Sequence, residues 1–264
     1  MAFSTEKVSF KNADGHTLDA RLELPDGQVN SYAIFVHCFT CSKQIHAATR
    51  ISRALTEAGI AVLRFDFTGL GNSDGDFSNT NFSTTVADVI SAYDHMVQAK
   101  RVPELLIGHS LGGATVLAVA NSLPTIRGIV TINAPSDVRH VEHLFKEGLS
   151  KIEQTGSAEV SLSGRSFIIR KQFLDDIRSI RLEDKLSKIK ASVLIFHAPL
   201  DEVVDISHAA SIYQGMRSPR SFICLEEASH LLDRKEDSDF VSRIISAWGL
   251  RYLVNLSCSL HLSK

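Results

Sequence analysis

The stretch Gly108-His109-Ser110-Leu111-Gly112-Gly113 lies between a short apolar run, Leu105-Leu106-Ile107, and a segment rich in Ala, Val and Leu that reads as a helix. This is a G-x-S-x-G pattern in a strand-turn-helix setting. A serine on so tight a turn has its hydroxyl exposed, and glycines at 108 and 112 remove side chains that would collide there. A strand that feeds directly into a helix is the building unit of a mostly parallel sheet covered by helices, so the motif constrains fold and chemistry together.

A lone serine hydroxyl is a poor nucleophile and needs a histidine base, itself oriented by an acid. Both are found later in the chain. Asp201 follows the apolar run Ser192-Val193-Leu194-Ile195-Phe196-His197 and opens the loop Asp201-Glu202-Val203-Val204-Asp205. Loops after parallel strands are where such sites are built. His230 stands in Ala228-Ser229-His230-Leu231-Leu232, just beyond the strand-like run 221–225. The order Ser, Asp, His is that of an α/β-hydrolase and not of chymotrypsin or subtilisin. Glu202 and Asp205 are rivals to Asp201, with Asp205 also suited to cap a helix beginning near Ser207. His109 adjoins Ser110 on the turn, so its side chain should point away from the hydroxyl and serve structure. The oxyanion of an acyl-transfer reaction needs backbone donors, for which Leu111 N–H and Phe39 N–H are the candidates, the latter in the loop after the strand 32–37.

The rest of the chain organises around these positions. Residues 7–12 and 18–24 alternate as antiparallel strands about Asp14-Gly15. Strands are expected at 32–37, 61–67 and 128–132, and helices at 45–58, 82–100 and 233–253. Between 136 and 188 the strand-helix alternation breaks over an interval too long for a plain connection, which predicts an inserted cap holding a helix around 141–152 and a hairpin at 159–169. The expected division is therefore an α/β core of residues 1–135 and 189–254, a cap of 136–188 and a tail of 255–264. Apolar cap residues would either line a substrate pocket or form the cap's own small core.

Composition narrows the function further. A chain of 264 residues can bury one large core, and 28 basic against 30 acidic residues give a net charge of −2. Nothing suggests a nucleic-acid groove or a membrane-binding basic face, and the substrate is expected to be small and not polyanionic. No secretory leader or membrane-length apolar run is apparent, so a cytoplasmic setting is expected. The glycine-rich loop 69–76 matches neither a P-loop nor a dinucleotide fingerprint. The four cysteines, at 38, 41, 224 and 258, are too few for a disulfide scaffold. Cys38-Phe39-Thr40-Cys41 has C-x-x-C spacing, but a closed zinc site needs four ligands and a redox C-x-x-C opens a helix in a thioredoxin-like unit. A loop that shapes the oxyanion hole is the preferred reading. No metal or organic cofactor is called for.

The residues His37-Cys38-Phe39-Thr40-Cys41-Ser42-Lys43, the run 63–73, the Ser110 turn and His197-Ala198-Pro199-Leu200-Asp201-Glu202 resemble the α/β-hydrolase superfamily. More narrowly, the chain resembles the hydrolase half of bifunctional hydrolase/OsmC-type proteins, and more loosely small-capped cinnamoyl and short-chain esterases. The tail does not read as the start of a second domain, so an OsmC-type partner domain is expected to be absent and its peroxide-linked role is not carried over. The combined expectation is a serine hydrolase of small carboxylic esters, with Ser110 as nucleophile, His230 as base, Asp201 as orienting acid, and Phe39 and Leu111 as oxyanion donors. Thioesterase or amidase activity on the same triad is an alternative. So is a non-catalytic binding or redox-partner module using Cys38 and Cys41, or an interaction protein with a vestigial triad. The sequence leaves a homodimer open.

Overall fold

The computed structural model describes residues 3–162 and 164–253. The expected tail 255–264, with Cys258, lies outside the described residues. The chain opens with the antiparallel pair β1 (Phe3–Lys11) and β2 (Thr17–Pro25), turned about Gly15 at φ 81°. Then follow β3 (Ser31–Val36), α1 (His46–Thr56), β4 (Ile60–Phe65), α2 (Phe82–Gln98), β5 (Pro103–His109), α3 (Leu111–Val119) and β6 (Gly128–Ile132). The inserted interval carries a 3₁₀ run (Val138–Gly148), α4 (Leu149–Thr155), the hairpin β7 (Ser157–Leu162) and β8 (Arg165–Arg170), α5 (Lys171–Ser179) and α6 (Glu183–Leu186). The core resumes with β9 (Ser192–His197), α7 (Ser207–Gly215), β10 (Arg220–Cys224) and α8 (Lys235–Tyr252).

Eight strands form one sheet in the order β1-β2-β4-β3-β5-β6-β9-β10, antiparallel for β1-β2 and β2-β4 and parallel elsewhere. The inner parallel strands β3, β4, β5, β6 and β9 are buried on both faces, which explains their continuous apolar runs, whereas the edge strand β10 is partly exposed. Ile34, Val36, Leu63 and Leu106 pack toward α2 and α3, while Ala33, Phe35, Leu105, Ile107 and Val130 pack toward α1 and α8. From β3 the chain steps one way to β4 and the other way to β5, so the carboxyl ends of β3 and β5 meet at a topological switch point, where open α/β sheets hold ligands. The loops after β3 and β5 carry Phe39 and Ser110.

Two expectations need correction. The cap segment 141–152 is not one helix: it passes from the 3₁₀ run into α4, and within that run Phe145 leaves helical geometry at φ −130°, its ring lying 6.4 and 6.0 Å between centroids from Phe39 and Phe173. Cys38 and Cys41 are joined by a disulfide, which neither a zinc reading nor a bare loop anticipated. Thr40 at φ 56° tightens the turn and leaves the two Cα atoms 5.4 Å apart, within bridging range.

A buried ion network ties the loop after β3 to the loop after β4. The Lys43 ammonium pairs with Asp66 and lies 2.7 Å from Asp19 Oδ2, while Asp66 Oδ1 accepts from Lys43 N–H at 2.7 Å and Oδ2 from Asn72 N–H at 2.9 Å. Removing one partner of such a pair strands the other in a low-dielectric interior. Lys43→Ala is therefore expected to lower unfolding free energy by about 3–5 kcal/mol in denaturant titration, far beyond a surface lysine.

Two buried histidines add a pH dependence. Burial pushes the His37 imidazole down to about 4 and the His109 imidazole to about 3. As pH falls below the ordinary value of 6.5 the unfolded chain takes up protons that the folded chain refuses, so stability present at neutral pH is lost toward acid. The expected slope is about 1.4 kcal/mol per pH unit for each histidine, easing once His37 itself protonates near 4. Unfolding midpoints measured across this range, compared with a His109→Gln variant, check the slope.

Candidate active site

Ser110 joins β5 to α3 with φ 54° and ψ −124°, a left-handed backbone that few non-glycine residues adopt. Its surroundings explain the flanking glycines. A Cβ on Gly108 would lie 2.3 Å from the Gly112 carbonyl oxygen, and one on Gly112 2.3 Å from that of Val36. Gly112 thus lets α3 press against the end of β3 and brings the Ser110 turn beside the Phe39 loop.

Ser110, Asp201 and His230 come together from three strand ends. His230 Nε2 is 3.0 Å from Ser110 Oγ and accepts its proton, while Nδ1–H donates to Asp201 Oδ2 at 2.7 Å. The other Asp201 oxygen accepts from Val203 and Val204 N–H at 2.8 and 2.9 Å. Burial alone would raise the Asp201 carboxyl, but hydrogen bonds from His230 and these backbone groups outweigh it and hold it below its ordinary value. An ionised Asp201 fixes the His230 tautomer that leaves Nε2 free to take a proton. The rivals are placed elsewhere: Glu202 is exposed, and Asp205 accepts from Ser207 N–H at the start of α7 at 2.8 Å.

Leu111 is the first residue of α3, so its N–H has no intrahelical carbonyl, and Phe39 N–H has no backbone acceptor among the described residues. Both residues lie at the switch point, Leu111 at the positive end of the α3 dipole. The Phe39 ring packs on Phe77 of the core and on Phe145 and Phe173 of the cap, at 5.8, 6.4 and 5.5 Å between centroids. Arg165 of β8 donates to Thr40 O, so the cap also grips this loop through a polar bond.

Two residues hold the loops, Asn133, which sequence reasoning passed over, and His109, which it read as structural. Asn133, buried just after β6, donates to His230 O at 3.0 Å and accepts from Ala198 N–H at 2.9 Å, linking the Asp201 and His230 loops. Its signal was a lone Asn closing an apolar strand, a residue type suited to its φ of 48°. His109 Nε2–H donates to the same His230 carbonyl at 2.7 Å, the structural use expected for it.

Two cavities meet at the Phe39 loop. An open cleft of about 550 Å³ contains Ser110 and His230 and is walled by Leu144 and Leu162 of the cap, by the 38–41 loop and by the loops after β9 and β10. A small, more enclosed space of about 20 Å³ lies behind Phe39 and Leu111, bounded by Phe67, Leu70, Phe77 and Phe173. Cap residues therefore divide between lining and core, with Leu144 and Leu162 on the cleft and Val141 and Ile152 packed inside. Among the described residues no His/Cys/Asp/Glu cluster could hold a metal ion, and no helix is long and apolar enough to cross a membrane.

Comparison with known proteins agrees with this fold. The serine aminopeptidase S33 family (Hydrolase_4) matches residues 33–162. The mitochondrial palmitoyl-protein thioesterase ABHD10 of Mus musculus is 25% identical over 213 residues, 77% of this chain and 70% of that protein. A thermostable monoacylglycerol lipase of Bacillus sp. (strain H-257) is 26% identical over 218 residues, 79% of this chain and 86% of that protein. Among solved structures, Est1E of Butyrivibrio proteoclasticus with bound ferulic acid superposes with a TM-score of 0.77 at 21% identity over 93% of this chain and 99% of that one, a likeness of fold. The esterase domain of a Rhodothermus marinus protein gives a TM-score of 0.78 at 45% identity, over 96% of this chain and 100% of that one. With the fold, the strand-turn-helix at Ser110 and this similarity in agreement, the chain belongs to the α/β-hydrolase superfamily of serine hydrolases.

Proposed function

We propose that this protein hydrolyses small carboxylic esters through a Ser110–His230–Asp201 triad and an acyl-enzyme intermediate. The observation that carries the reading is the continuous hydrogen-bond chain from Ser110 Oγ through both His230 nitrogens to Asp201, beside two N–H groups that no backbone carbonyl claims among the described residues. Ser110 attacks the carbonyl carbon while His230 takes its proton, and Asp201 stabilises the imidazolium. Leu111 and Phe39 N–H hold the oxyanion. His230 then passes the proton to the departing alcohol, and water attacks the acyl-enzyme with the same histidine as base. Thioester hydrolysis is a second reading, favoured by the similarity to a palmitoyl-protein thioesterase. The proposed setting is cytoplasmic.

A chain-length series of nitrophenyl esters from acetyl to decanoyl tests this reading. Ser110→Ala is expected to reduce hydrolysis by about 10⁴-fold or more, whereas Cys38→Ser retains measurable turnover. The reverse pattern, with Ser110→Ala active and Cys38→Ser inert, supports a redox-partner module instead.

If the cap sets where Phe39 N–H points, loosening its grip weakens oxyanion stabilisation without changing substrate affinity. Removing an oxyanion donor costs about a hundredfold or more, so displacing one through Arg165→Ala is expected to lower kcat by about tenfold with KM little changed. Arg165→Lys should recover part of the loss, and steady-state kinetics of the two variants checks both expectations.

A further inference from the structure

The chemistry of acyl transfer assigns the two sides of the site. His230 Nε2 must reach the atom that leaves, so the leaving half of the substrate lies on the His230 side and the acyl half lies toward Phe39 and Leu111. On the His230 side the cleft wall consists of Leu200, Glu202, Val203, Ser229, Leu231 and Asp233. Leu200 is 76% exposed and Leu231 45%, and Leu144 of the cap faces the same cleft at 36%. Three leucines from three separate segments thus leave their side chains uncovered around one opening, an arrangement that marks a binding surface and not scattered surface residues.

The charge on this side has one sign. The loops 198–206 and 225–234 carry Asp201, Glu202, Asp205, Glu226, Glu227 and Asp233, against Arg234 alone. Arg234 is engaged by Glu227 at 3.2 Å and by Asp237 at 2.9 Å. No Lys or Arg lines the cleft among the described residues. Two guanidinium groups bond backbone carbonyls of the cleft lining from outside it, Arg50 donating to Asp233 O at 2.9 Å and Arg165 to Thr40 O. A phosphorylated leaving group would meet the Glu202 and Asp233 carboxylates on this wall, with no Lys or Arg among the described lining residues.

We propose, resting on the ester-hydrolase reading above, that the leaving-group side is built for an uncharged, apolar alcohol or thiol and discriminates against polyanionic carriers. An acyl ester of a neutral alcohol places its apolar part against Leu200, Leu231 and Leu144. The Ser110 Oγ–acyl bond forms as the C–O or C–S bond breaks, and the proton taken from Ser110 goes to the departing oxygen or sulfur. A coenzyme A thioester presents the same acyl group and the same bond but brings phosphates to the Glu202–Asp233 face. Like charges set against each other at a binding surface are strongly unfavourable, and exposed charges are screened by salt.

The test compares matched substrates on the full-length protein at low ionic strength. One pair is octanoyl-N-acetylcysteamine and octanoyl-CoA; the other is 1-octanoylglycerol and its 3-phosphate, so that a preference for oxygen over sulfur does not decide the result. In each pair that is turned over, kcat/KM is expected to favour the neutral member by about tenfold or more. High salt should narrow that ratio, as should the charge reversal Glu202→Lys with Asp233→Lys. Equal kcat/KM values or a preference for the phosphorylated member overturn the proposal. A neutral preference indifferent to both salt and charge reversal also overturns it, since size and not charge would then set the choice. Failure of the native protein on nitrophenyl octanoate, or full activity in Ser110→Ala, instead removes the ester-hydrolase reading, and this inference with it.

Discussion

The backbone at Ser110 is the constraint on which the rest of the structure depends. Holding a serine at φ 54° and ψ −124° places its hydroxyl above the sheet end, and the surrounding packing must compensate for the strain. Gly108 and Gly112 permit the turn because any side chain there would run into backbone within about a bond length and a half. Once the turn is fixed, α3 descends from it with every residue buried, and its apolar sequence follows from that burial. The neighbouring strands β3 and β6 are then confined to either side of β5, which brings the Phe39 loop and Asn133 to the two flanks of the same serine.

The other two members of the hydrogen-bond chain are held less directly. Asp201 and His230 sit on loops after β9 and β10; Asn133 bonds both loops and His109 the second, and neither touches the serine hydroxyl in the bonds described. Both donate to the His230 carbonyl, so the imidazole hangs from a peptide fixed at two points. This is how a loop residue acquires the precision of a strand residue, with the supporting groups drawn from the sheet itself. The buried Lys43–Asp66 pair plays the same part for the Phe39 loop, and it joins two of the sequence stretches, 37–43 and 63–73, that carried the family resemblance.

Much of this was legible in the chain because it rests on local rules. Glycine spacing gave the Ser110 turn, apolar runs gave the parallel strands to within a residue or two, and position after a strand singled out Asp201 and His230. What stayed hidden depends on contacts distant in sequence. The kink at Phe145 arises because its ring joins Phe39 and Phe173, more than a hundred residues and about thirty residues away respectively. The Cys38–Cys41 bridge needs the left-handed Thr40, which no propensity favours in threonine. The grip of Arg165 on Thr40 O spans 125 positions, and nothing near either residue announces it.

These hidden contacts divide the site into two kinds of support. Leu111 N–H is delivered by the start of a buried helix and has no freedom to move without displacing the core. Phe39 N–H is delivered by a loop bridged by a disulfide, pinned by Lys43 at one end and clasped by cap residues from above. Under the proposed mechanism the oxyanion therefore rests on one donor that the core fixes and one that the cap can adjust. The cap also supplies Leu144 and Leu162 to the cleft and Phe173 to the enclosed space, so residues that shape substrate selection are bonded to the same segment that aims a catalytic donor. Changes in the cap then alter which substrate fits and how well its transition state is held, while the serine, histidine and aspartate stay where the sheet puts them.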